Sequence, residues 1–583
     1  MERSHVVSLI REKWLSLFSS HCFTGSPELV ASLFLSSGWW RDHLCLSWDF
    51  HTKEGPDQIL AFLSDRKRLS ARKLRNFQID RLSALGPPKC SRSPGDPEEI
   101  IVEASIIFDI TKPVARGRGY VRLKKDARNV WKAFTLYTVL LDLVGHEERT
   151  GRLHGLKDIP PSSLSKDPSV LIVGGGQTGL ILAARMKALR LNVLVVEKNE
   201  VVGDNWRKRY ESLKLHTTAT YASFPYQKFP EDAPTFLPKA QVADFLESYS
   251  VEQDLPIWTS AEFLPGATYD SSERLWSVTI SKKGELINLR PKHLVLAIGP
   301  AAVPFVPDFE GVDKFSGTTY HSSMHKDPGN WCGKNAVVLG ASVSGHDIAL
   351  SLQKAGADVL MVQRSPMCVL RLSTVKEQFF DRVWPPDRPV TDSDFLYAST
   401  PLKVLMHIAA TQYTPFLARY DKDMLEGLAS AGFLVGWGEE GGLGPIGQTG
   451  LILTKFGHFY RDVGNAQMII DGKVKIKAGV VIDEFESEGV RFSDGTFAQA
   501  DVVVFATGYH SMRTIARQLL GDEIVDQTSE IWNLDAEGEL RGVYRPTGHP
   551  GLWYASGAFD HVRYLGRLLA LQLLAMEIGV YDE

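Results

Sequence analysis

The stretch that decides the fold is Val170-Leu-Ile-Val-Gly174-Gly-Gly176-Gln-Thr-Gly179, and a second apolar run that ends in Glu197 follows it. Three glycines spaced in this way after a short apolar strand are typical of a β-α-β unit that binds a dinucleotide. Gly174 allows a tight turn, Gly176 lets the backbone approach a pyrophosphate, and Gly179 permits close packing of helix on strand. The helix N-terminus offers N–H groups to the phosphates, and Glu197 is placed to accept hydrogen bonds from a ribose.

A second unit of the same kind follows at Ala336-Val-Val-Leu-Gly340-Ala-Ser342-Val-Ser344-Gly345, with Ser342 in place of the middle glycine. Its second strand ends in Arg364-Ser365, where the first unit has its acid. An arginine at this point matches a ribose 2′-phosphate, which favours NADP over NAD. Two units, one ending in Glu and one in Arg, indicate one flavin dinucleotide, FAD, and one NADPH.

Two further patterns add candidates for cofactor binding. The loop Gly203-Asp-Asn-Trp206-Arg207-Lys-Arg209-Tyr210 comes just beyond the first acid, and its aromatic ring and two guanidinium groups are suited to wrap an adenosine or to bring positive charge to the pyrophosphate. The strand-to-glycine segment Ala506-Thr507-Gly508 repeats the earlier Ala297-Ile-Gly299. The residues expected to hold the cofactors are Gly174, Gly176, Gln177, Thr178, Gly179, Glu197, Lys198, Asn205, Trp206, Arg207, His216, Thr217, Gly340, Ser342, Ser344, Gly345, Arg364, Ser365, Ala506, Thr507 and Gly508.

These elements together resemble the class B flavin-dependent monooxygenases, specifically the flavin-containing monooxygenase branch. The family fingerprint FxGxxxH appears as Phe315-x-Gly317-x-x-x-His321. Leu213-Lys-Leu-His216 matches the LKLH segment of YUCCA-like enzymes, whereas animal members usually have asparagine at the position of His216. Baeyer–Villiger members carry a Trp after the fingerprint His, and Met324-His325 in this chain disfavours them. The resemblance covers about residues 168–583 and is closest to YUCCA-like enzymes and to fungal relatives with a fused SnoaL-like domain.

The resemblance implies that NADPH reduces FAD and that the reduced flavin adds oxygen to give a C4a-hydroperoxide, which oxygenates a small organic substrate. The protein's task is then to exclude water and to donate hydrogen bonds to that adduct. His216 is the candidate catalytic residue beside the flavin, with a structural role as its alternative. His321 is expected to hold the interdomain linker, and no metal site is expected.

Several functions stay open within and outside this resemblance. The leading one is an NADPH- and FAD-dependent monooxygenase that decarboxylates an aryl-pyruvate such as indole-3-pyruvate, as YUCCA-like enzymes do. N- or S-oxygenation, or Baeyer–Villiger oxidation, of a secondary metabolite is the alternative. A flavin NADPH oxidase or reductase comes next, although the five scattered cysteines contain no CxxC pair for a dithiol reductase. A non-catalytic nucleotide sensor is disfavoured because both glycine turns are intact.

Composition limits the partners. The chain has 583 residues, 44% hydrophobic and 23% charged, with a net charge of −4, which gives no argument for nucleic acid or an anionic membrane surface. No apolar run reaches the roughly 18 residues of a membrane helix. Met1 to Ser20 has the character of an amphipathic helix, not of a signal peptide. We therefore expect a cytoplasmic enzyme acting on a small organic substrate and O2, with a homo-oligomer left open.

The predicted fold class is α/β, with two Rossmann-like domains for FAD and NADPH that follow a small α+β cone. The predicted domains are the SnoaL-like cone at 1–150, a linker at 151–167, the first part of the FAD domain at 168–331, the NADPH domain at 332–508 with a substrate-side insertion at about 372–465, and the return to the FAD domain at 509–583.

The cone is predicted from helix-like segments followed by strand-like ones. Asp49 and His51 share a strand-like stretch, and ordinary surface or cavity polarity is favoured for them over catalysis. An oligomerisation module, a docking surface, a lid over the flavin and a holder of a hydrophobic ligand all remain open for this domain. The segments are helices at 6–20, 26–36 and 56–65 and strands at Ile100–Ile110, Gly117–Lys124 and Asn129–Leu141.

Overall fold

The structure is a computed structural model that describes residues 9–93, 96–151, 153, 167–300, 303–438 and 444–581. Nearly all of the linker predicted at 151–167 lies outside these residues, as does the start of the predicted first helix. Among the helices of the described ranges, none is long and apolar enough to cross a membrane.

The N-terminal domain is a curved mixed sheet with helices on one side of it. Its strands, in sheet order, are Phe50–Glu54, Phe34–His43, Trp131–Leu143, Ala115–Lys125, Asp96–Ile110 and Leu74–Ile79, with Lys89–Ser93 paired to Asp96–Ile110. Its helices are Leu9–Leu15, Ser16–Thr24, Pro27–Ala31, Gly55–Ser64, Asp65–Lys67 and Arg68–Arg72. Trp14, Phe18 and Trp40 are buried in its core.

The helix predicted at 26–36 is wrong at its C-terminal end. The helix Pro27–Ala31 is short, and Phe34–His43 is a strand that pairs in parallel with Trp131–Leu143. Phe34, Trp39 and Trp40 are aromatic residues that favour a pleated, half-buried surface, and strand pairing prevails over local helical periodicity here. The three predicted strands are present, and Phe50–Glu54 overlaps the strand-like stretch of Asp49 and His51, whereas Phe34–His43, Leu74–Ile79 and Lys89–Ser93 were not predicted. The SnoaL-like assignment of this domain stays a prediction.

The first dinucleotide unit is built on a parallel sheet. Its strands, in order, are Ile257–Trp258, Val193–Val196, Val170–Val173, His293–Leu296 and Leu552–Tyr554. The helices Gln177–Ala188 and Phe559–Glu577 pack against each other beside this sheet. Every residue of Val170–Val173 is buried, as expected for a parallel strand covered on both faces. The last strand, Leu552–Tyr554, comes from near the C-terminal end of the chain. The chain therefore returns to the first dinucleotide unit after it has formed the second.

An antiparallel sheet and several short helices complete this half of the molecule. The sheet strands are Ala261–Phe263, Thr268–Asp270, Leu275–Lys282 and Glu285–Leu289. The helices are Asp204–Arg207, Lys239–Glu252, Met512–Leu520 and Asp522–Asp526.

The second dinucleotide unit has the same architecture. Its parallel strands, in order, are Thr318–His321, Val502–Phe505, Asn335–Leu339, Asp358–Gln363 and Val474–Ala478. Its main helix is Val343–Lys354, with the shorter Asn465–Ile470 and the 3₁₀ turns Val312–Lys314, Ser322–Met324 and Pro328–Trp331. A small antiparallel sheet of Ile482–Glu486, Gly489–Phe492 and Phe497–Gln499 is attached to it.

The predicted insertion at about 372–465 is mostly helical in its described residues. One short parallel pair, Cys368–Arg371 with Phe459–Asp462, anchors it. Its helical segments are Leu372–Val375, Lys376–Phe380, Asp381–Val383, Val390–Ala398, Leu402–Ile408, Ala409–Tyr413, Thr414–Tyr420, Lys422–Ser430 and Gly447–Lys455.

The two units are joined by linkers that are bonded to each other. The Phe305 N–H donates to the Gly508 carbonyl at 3.0 Å, and His321 Nε2 lies 2.9 Å from the same oxygen. His321 Nδ1 accepts from the Ser323 N–H at 3.2 Å, so Nε2 carries the proton that Gly508 accepts. The fingerprint histidine thus holds the interdomain linkers together, which is the role expected from the sequence.

Both glycine turns depend on very close backbone contacts. Gly174 and Gly340 adopt positive φ values of 110° and 115°. A Cβ on Gly179 would lie 1.9 Å from the Gly174 carbonyl oxygen, and a Cβ on Gly345 would lie 1.9 Å from that of Gly340. Only glycine permits each helix to approach its strand this closely.

We predict that Gly345→Ala lowers the thermal unfolding midpoint, because the new methyl group forces the second turn to open. Overpacking of this kind costs about 1–3 kcal/mol. Gly457→Ala is the matched control, since its nearest neighbour would be the Lys455 carbonyl oxygen at 3.8 Å. Differential scanning fluorimetry compares the two variants, and equal midpoints would contradict the packing argument.

Candidate active site

The first glycine turn is oriented by Glu197. The Gly175 N–H donates to Glu197 Oε2 at 2.7 Å, and Glu197 Oε1 accepts from the Asn199 N–H at 2.8 Å. Above the turn there is free space, because a Cβ on Gly176 would meet just Asn205 Nδ2, at 3.4 Å. The helix that starts after Gly176 has no side-chain cap. An open backbone cradle at an uncapped helix N-terminus fits a pyrophosphate, so these residues fit the adenosine diphosphate half of FAD.

In the loop after Glu197, the structure agrees with a position near the first turn for Trp206 but not for Arg207. Trp206 Nε1–H donates to Gln177 Oε1 at 3.4 Å, which brings Trp206 to the first turn. Arg207 instead donates to the Val202 carbonyl at 2.9 Å and forms ion pairs with Asp244 and Glu247 of a neighbouring helix. Its charge is therefore used within the protein fold and is not directed to a pyrophosphate.

The remaining predicted residues of the first unit are divided between core and surface. Thr178 and Gly179 are buried in the helix, and Lys198 is exposed. Arg209, the second guanidinium group of the same loop, lines a cavity between this unit and the insertion. No pattern in the sequence distinguishes these two arginines, because their difference arises from the packing of the helix Lys239–Glu252.

The second glycine turn opens onto a cavity of about 1040 Å³. Arg364 is exposed at its edge and has no ion pair within the described residues. A free guanidinium at the end of the second strand fits a ribose 2′-phosphate. The predicted residues that line this cavity are Gly340, Ser342, Ser344, Arg364, Ser365, Ala506, Thr507 and Gly508, while Gly345 lies in the adjoining helix.

A second cavity of about 380 Å³ adjoins the first, and Val343, Phe456 and Phe459 line both. We call it the aromatic cavity. The first unit contributes Trp206, His216, Thr217 and Ala558 to its wall, and the insertion supplies much of the remainder. Its aromatic lining residues are Trp206, Tyr221, Phe379, Trp384, Tyr397, Phe456, Phe459 and Tyr564.

His216 lies in the wall of the aromatic cavity with unsatisfied polar atoms around it. Within the described part of the chain, His216 Nδ1, Thr217 Oγ1 and Asp347 Oδ1 are buried without a hydrogen-bond partner. Burial, helped by the charge of Arg461, lowers the pKa of His216 to about 4, so its imidazole is neutral at pH 7. Burial raises the pKa of Asp347 to about 7, while Tyr210 donates to Asp347 Oδ2 at 2.7 Å. Unpaired buried atoms of this kind fit a bound polar ring or substrate.

Arg461 also lines the aromatic cavity, and the sequence did not predict it. Its Nη1 donates to the His216 carbonyl at 2.7 Å, and its Nε donates to Gln448 Oε1 at 3.1 Å. Its side chain lies over the rings of Phe380 and Phe459, at 5.0 and 5.4 Å from their centroids. Burial lowers its pKa to about 10, which leaves the group charged at pH 7. No carboxylate of the described residues forms an ion pair with it.

The comparisons with known proteins agree with this site. Residues 171–383 match the family model "Pyridine nucleotide-disulphide oxidoreductase". The chain is 30% identical over 355 residues to the indole-3-pyruvate monooxygenase YUCCA1 of Oryza sativa subsp. japonica, covering 59% of this chain and 77% of the relative. It is also 30% identical over 359 residues to the probable indole-3-pyruvate monooxygenase YUCCA3 of Arabidopsis thaliana, covering 58% and 73%.

Among solved structures, OTEMO in complex with FAD and NADP shares the fold, with a TM-score of 0.52 at 17% identity over 71% of this chain and 87% of that one. The chain thus has two dinucleotide units of this fold, with sites that fit FAD and NADPH. The chain belongs to the class B flavin-dependent monooxygenases, in the family of the YUCCA enzymes. As a member of this family, it uses FAD and NADPH and acts on a small organic substrate with O2. When bound, the flavin supplies the oxygen-activating chemistry and NADPH the electrons.

We predict that Arg364→Ala raises the KM for NADPH roughly 10- to 100-fold. This range corresponds to the loss of a hydrogen bond to a charged group, which contributes about 1.5–3 kcal/mol to binding. The KM for NADH, which lacks the 2′-phosphate, stays unchanged and serves as the internal control. Steady-state oxidation of both nucleotides measures the effect. A parallel rise in both KM values would show that Arg364 does not recognise the phosphate.

We also predict a pH-dependent contribution of His216 to stability. In the unfolded chain, His216 takes up a proton as the pH falls below its ordinary pKa of about 6.5. In the folded protein the pKa of His216 is about 4, so the same proton is taken up only at a lower pH. The stability that depends on neutral His216 is therefore present above pH 6.5 and is lost as the pH falls towards 4. The thermal midpoint advantage of the wild type over His216→Asn should shrink between pH 7 and pH 4.5. Exposed His407→Asn is the control, and a His216→Asn difference independent of pH would contradict the assignment.

Proposed function

We propose that the enzyme oxygenates an aryl-substituted 2-oxo acid, such as indole-3-pyruvate, and releases its carboxyl carbon as CO2. The observation that carries this proposal is the Arg461 guanidinium, which is buried in the wall of the aromatic cavity and donates to Gln448 and the His216 carbonyl but forms no ion pair with a carboxylate among the described residues. A buried charge is costly unless it is paired, and a bound anionic substrate supplies the missing partner. The two relatives above are named as indole-3-pyruvate monooxygenases, which supports the same substrate class.

The walls of the cavity suit the aryl group. Trp384 makes an edge-to-face contact with Tyr221 at 4.8 Å and lies 5.3 Å from Tyr397. Such rings provide faces and edges for a planar aromatic ligand. A volume of about 380 Å³ is in the range of small-molecule sites. An aromatic ring among these residues, with its 2-oxo acid end at Arg461, uses both features of the cavity.

The overall reaction balances with the two cofactors of the family. The bond between C1 and C2 of the 2-oxo acid breaks, and C1 leaves as CO2. One oxygen atom of O2 enters the new arylacetate carboxylate, and the other leaves as water, for which NADPH supplies a hydride (two electrons and one proton) and the solvent a second proton. In this reaction Arg461 binds the substrate carboxylate and orients the 2-oxo group, and the aromatic wall excludes water. Neutral His216 offers a ring nitrogen for a hydrogen bond to the flavin or the substrate.

Amine oxygenation is the second candidate, and Asp347 favours it because its Oδ1 has no hydrogen-bond partner within the described residues and lies 3.6 Å from Nε2 of the neutral His216. The other two cavity acids do not support an amine site. Asp394 is paired with Arg563 at 2.6 Å, and Asp560 accepts from Tyr221 at 2.6 Å. The unpaired cation Arg461 therefore favours an acid substrate over an amine.

We further propose that the unit formed by 168–331 and 509–583 holds FAD and that 332–508 holds NADPH. The open cradle at Gly176 and the free Arg364 support this division.

The experiment is the conversion of indole-3-pyruvate by wild type and Arg461→Gln, followed by quantification of indole-3-acetate. We predict a rise in KM of roughly 10- to 100-fold in the variant, because a charge-assisted hydrogen bond is worth about 1.5–3 kcal/mol. The KM for NADPH and the flavin content should remain unchanged. Arg371→Gln is the matched control, since Arg371 lies on the adjacent strand and is paired with Asp423. An unchanged KM in Arg461→Gln, or formation of N-oxides from amines but no arylacetate, would contradict the proposal.

A further inference from the structure

Arg41 belongs to the N-terminal domain, on the strand Phe34–His43, and nevertheless lines the aromatic cavity. The N-terminal domain therefore contributes directly to the chamber that the dinucleotide units and the insertion otherwise form. The cavity residues around it include Ala398 and Leu402 of the insertion and Leu540 and Tyr564 of the C-terminal segment.

The guanidinium of Arg41 joins all three parts of the molecule at this point. Its Nε and Nη2 donate to the two oxygens of Glu539 at 2.7 and 2.6 Å, and its Nη1 donates to the Ala398 carbonyl at 2.6 Å. Both partners of the ion pair are buried. Thr52 Oγ1–H also donates to Glu539, at 2.5 Å. A bidentate pair with this many partners has a defined geometry, so the cavity wall at Ala398 and Leu540 is held in one position.

A second contact supports the same wall. Tyr137 of the N-terminal domain lies 2.6 Å, oxygen to oxygen, from Tyr564 and 2.9 Å from His43 Nδ1. Burial and the charge of Arg41 lower the pKa of His43 to about 4, so His43 is neutral at pH 7. For Glu539, the charge of Arg41 and the hydrogen bonds from Arg41 and His43 more than offset burial and hold its pKa well below its usual range. The interface is thus a set of satisfied buried polar groups.

The domain is also fixed at points outside the cavity. Asp49 forms a bidentate pair with Arg545 at 2.7 and 2.8 Å. Glu537 accepts from the Thr52 N–H at 3.2 Å and lies 3.0 Å from His51 Nδ1. The ring of Trp48 stacks on Tyr581 at 5.5 Å. A domain bonded in this way along one whole face does not behave as a tethered module.

We propose that the N-terminal domain is a permanent wall of the substrate cavity and that Arg41 is the positioning residue that keeps this wall closed to water. The inference requires that the aromatic cavity be the site of oxygenation, which is part of the proposed function, and it does not depend on the identity of the substrate. Water that enters such a cavity diverts reduced flavin to a side reaction, in which O2 takes two electrons from NADPH and protons to form hydrogen peroxide.

The test measures NADPH oxidation and hydrogen peroxide formation by the full-length holoenzyme in the absence of substrate. Arg41→Met and the double variant Arg41→Met/Glu539→Gln should release peroxide several-fold faster than the wild type, with KM for NADPH unchanged. The double variant is included because a lone Glu539 would be an unpaired buried charge that destabilises the fold. Arg41→Lys, which keeps the charge, should restore part of the coupling.

Asp49→Asn is the matched control, because it removes another arginine–carboxylate pair from the same interface at a position that does not line the aromatic cavity. It should lower the thermal midpoint without raising peroxide release. Peroxide release at the wild-type rate in the folded double variant, or an equal rise in Asp49→Asn, would overturn the proposal. Since no substrate is added, this outcome is independent of whether a 2-oxo acid is the substrate.

Discussion

The close approach of each glycine turn to a neighbouring strand is the constraint on which the site depends. A Cβ on Gly174 would lie 2.6 Å from the Ala297 carbonyl oxygen, and a Cβ on Gly340 would lie 2.4 Å from that of Ala506. Both contacted carbonyls belong to strand ends that continue into the interdomain linkers. The same contacts that shape the two nucleotide cradles therefore also position the linkers, which meet at His321 and Gly508. The shapes of the two cofactor sites and the positions of the linkers between the units therefore depend on the same backbone contacts.

Two buried arginines at the aromatic cavity wall form ion pairs with carboxylates, whereas Arg461 does not form one with any described carboxylate. Arg41 is matched by Glu539, and Arg563 is matched by Asp394. Arg461 lacks such a partner within the described residues, although it contacts the His216 backbone. Proteins do not usually keep an unpaired charge among aromatic rings without a use for it, since its desolvation is costly. The fold thus provides a fixed cation at the point where the insertion meets the LKLH segment.

The sequence predicted the parts of this enzyme that depend on local backbone chemistry. The glycine spacing predicted both turns, the ends of the second strands supplied the candidate acid and arginine, and the family fingerprint suggested the role of His321 as a linker contact. It did not predict Arg461 or Arg41, because each becomes a cavity residue through contacts with segments far away in the chain. Arg207 shows the same limit, since its position in a motif predicted cofactor contact while Asp244 and Glu247 engage its side chain. Strand Phe34–His43 was missed because it lies between Phe50–Glu54 and Trp131–Leu143 in the sheet, and the second of these partners comes from the other end of the domain's sequence.

The most direct test of the proposed oxidative decarboxylation is an isotope experiment with the holoenzyme, NADPH, indole-3-pyruvate and ¹⁸O2. We predict indole-3-acetate with one ¹⁸O atom in its carboxylate, together with one CO2 released for each NADPH consumed. Consumption of NADPH with formation of labelled hydrogen peroxide and no indole-3-acetate would contradict the assignment of the aromatic cavity and Arg461 to a 2-oxo acid. Unlabelled indole-3-acetate would show that O2 is not the source of the new oxygen atom.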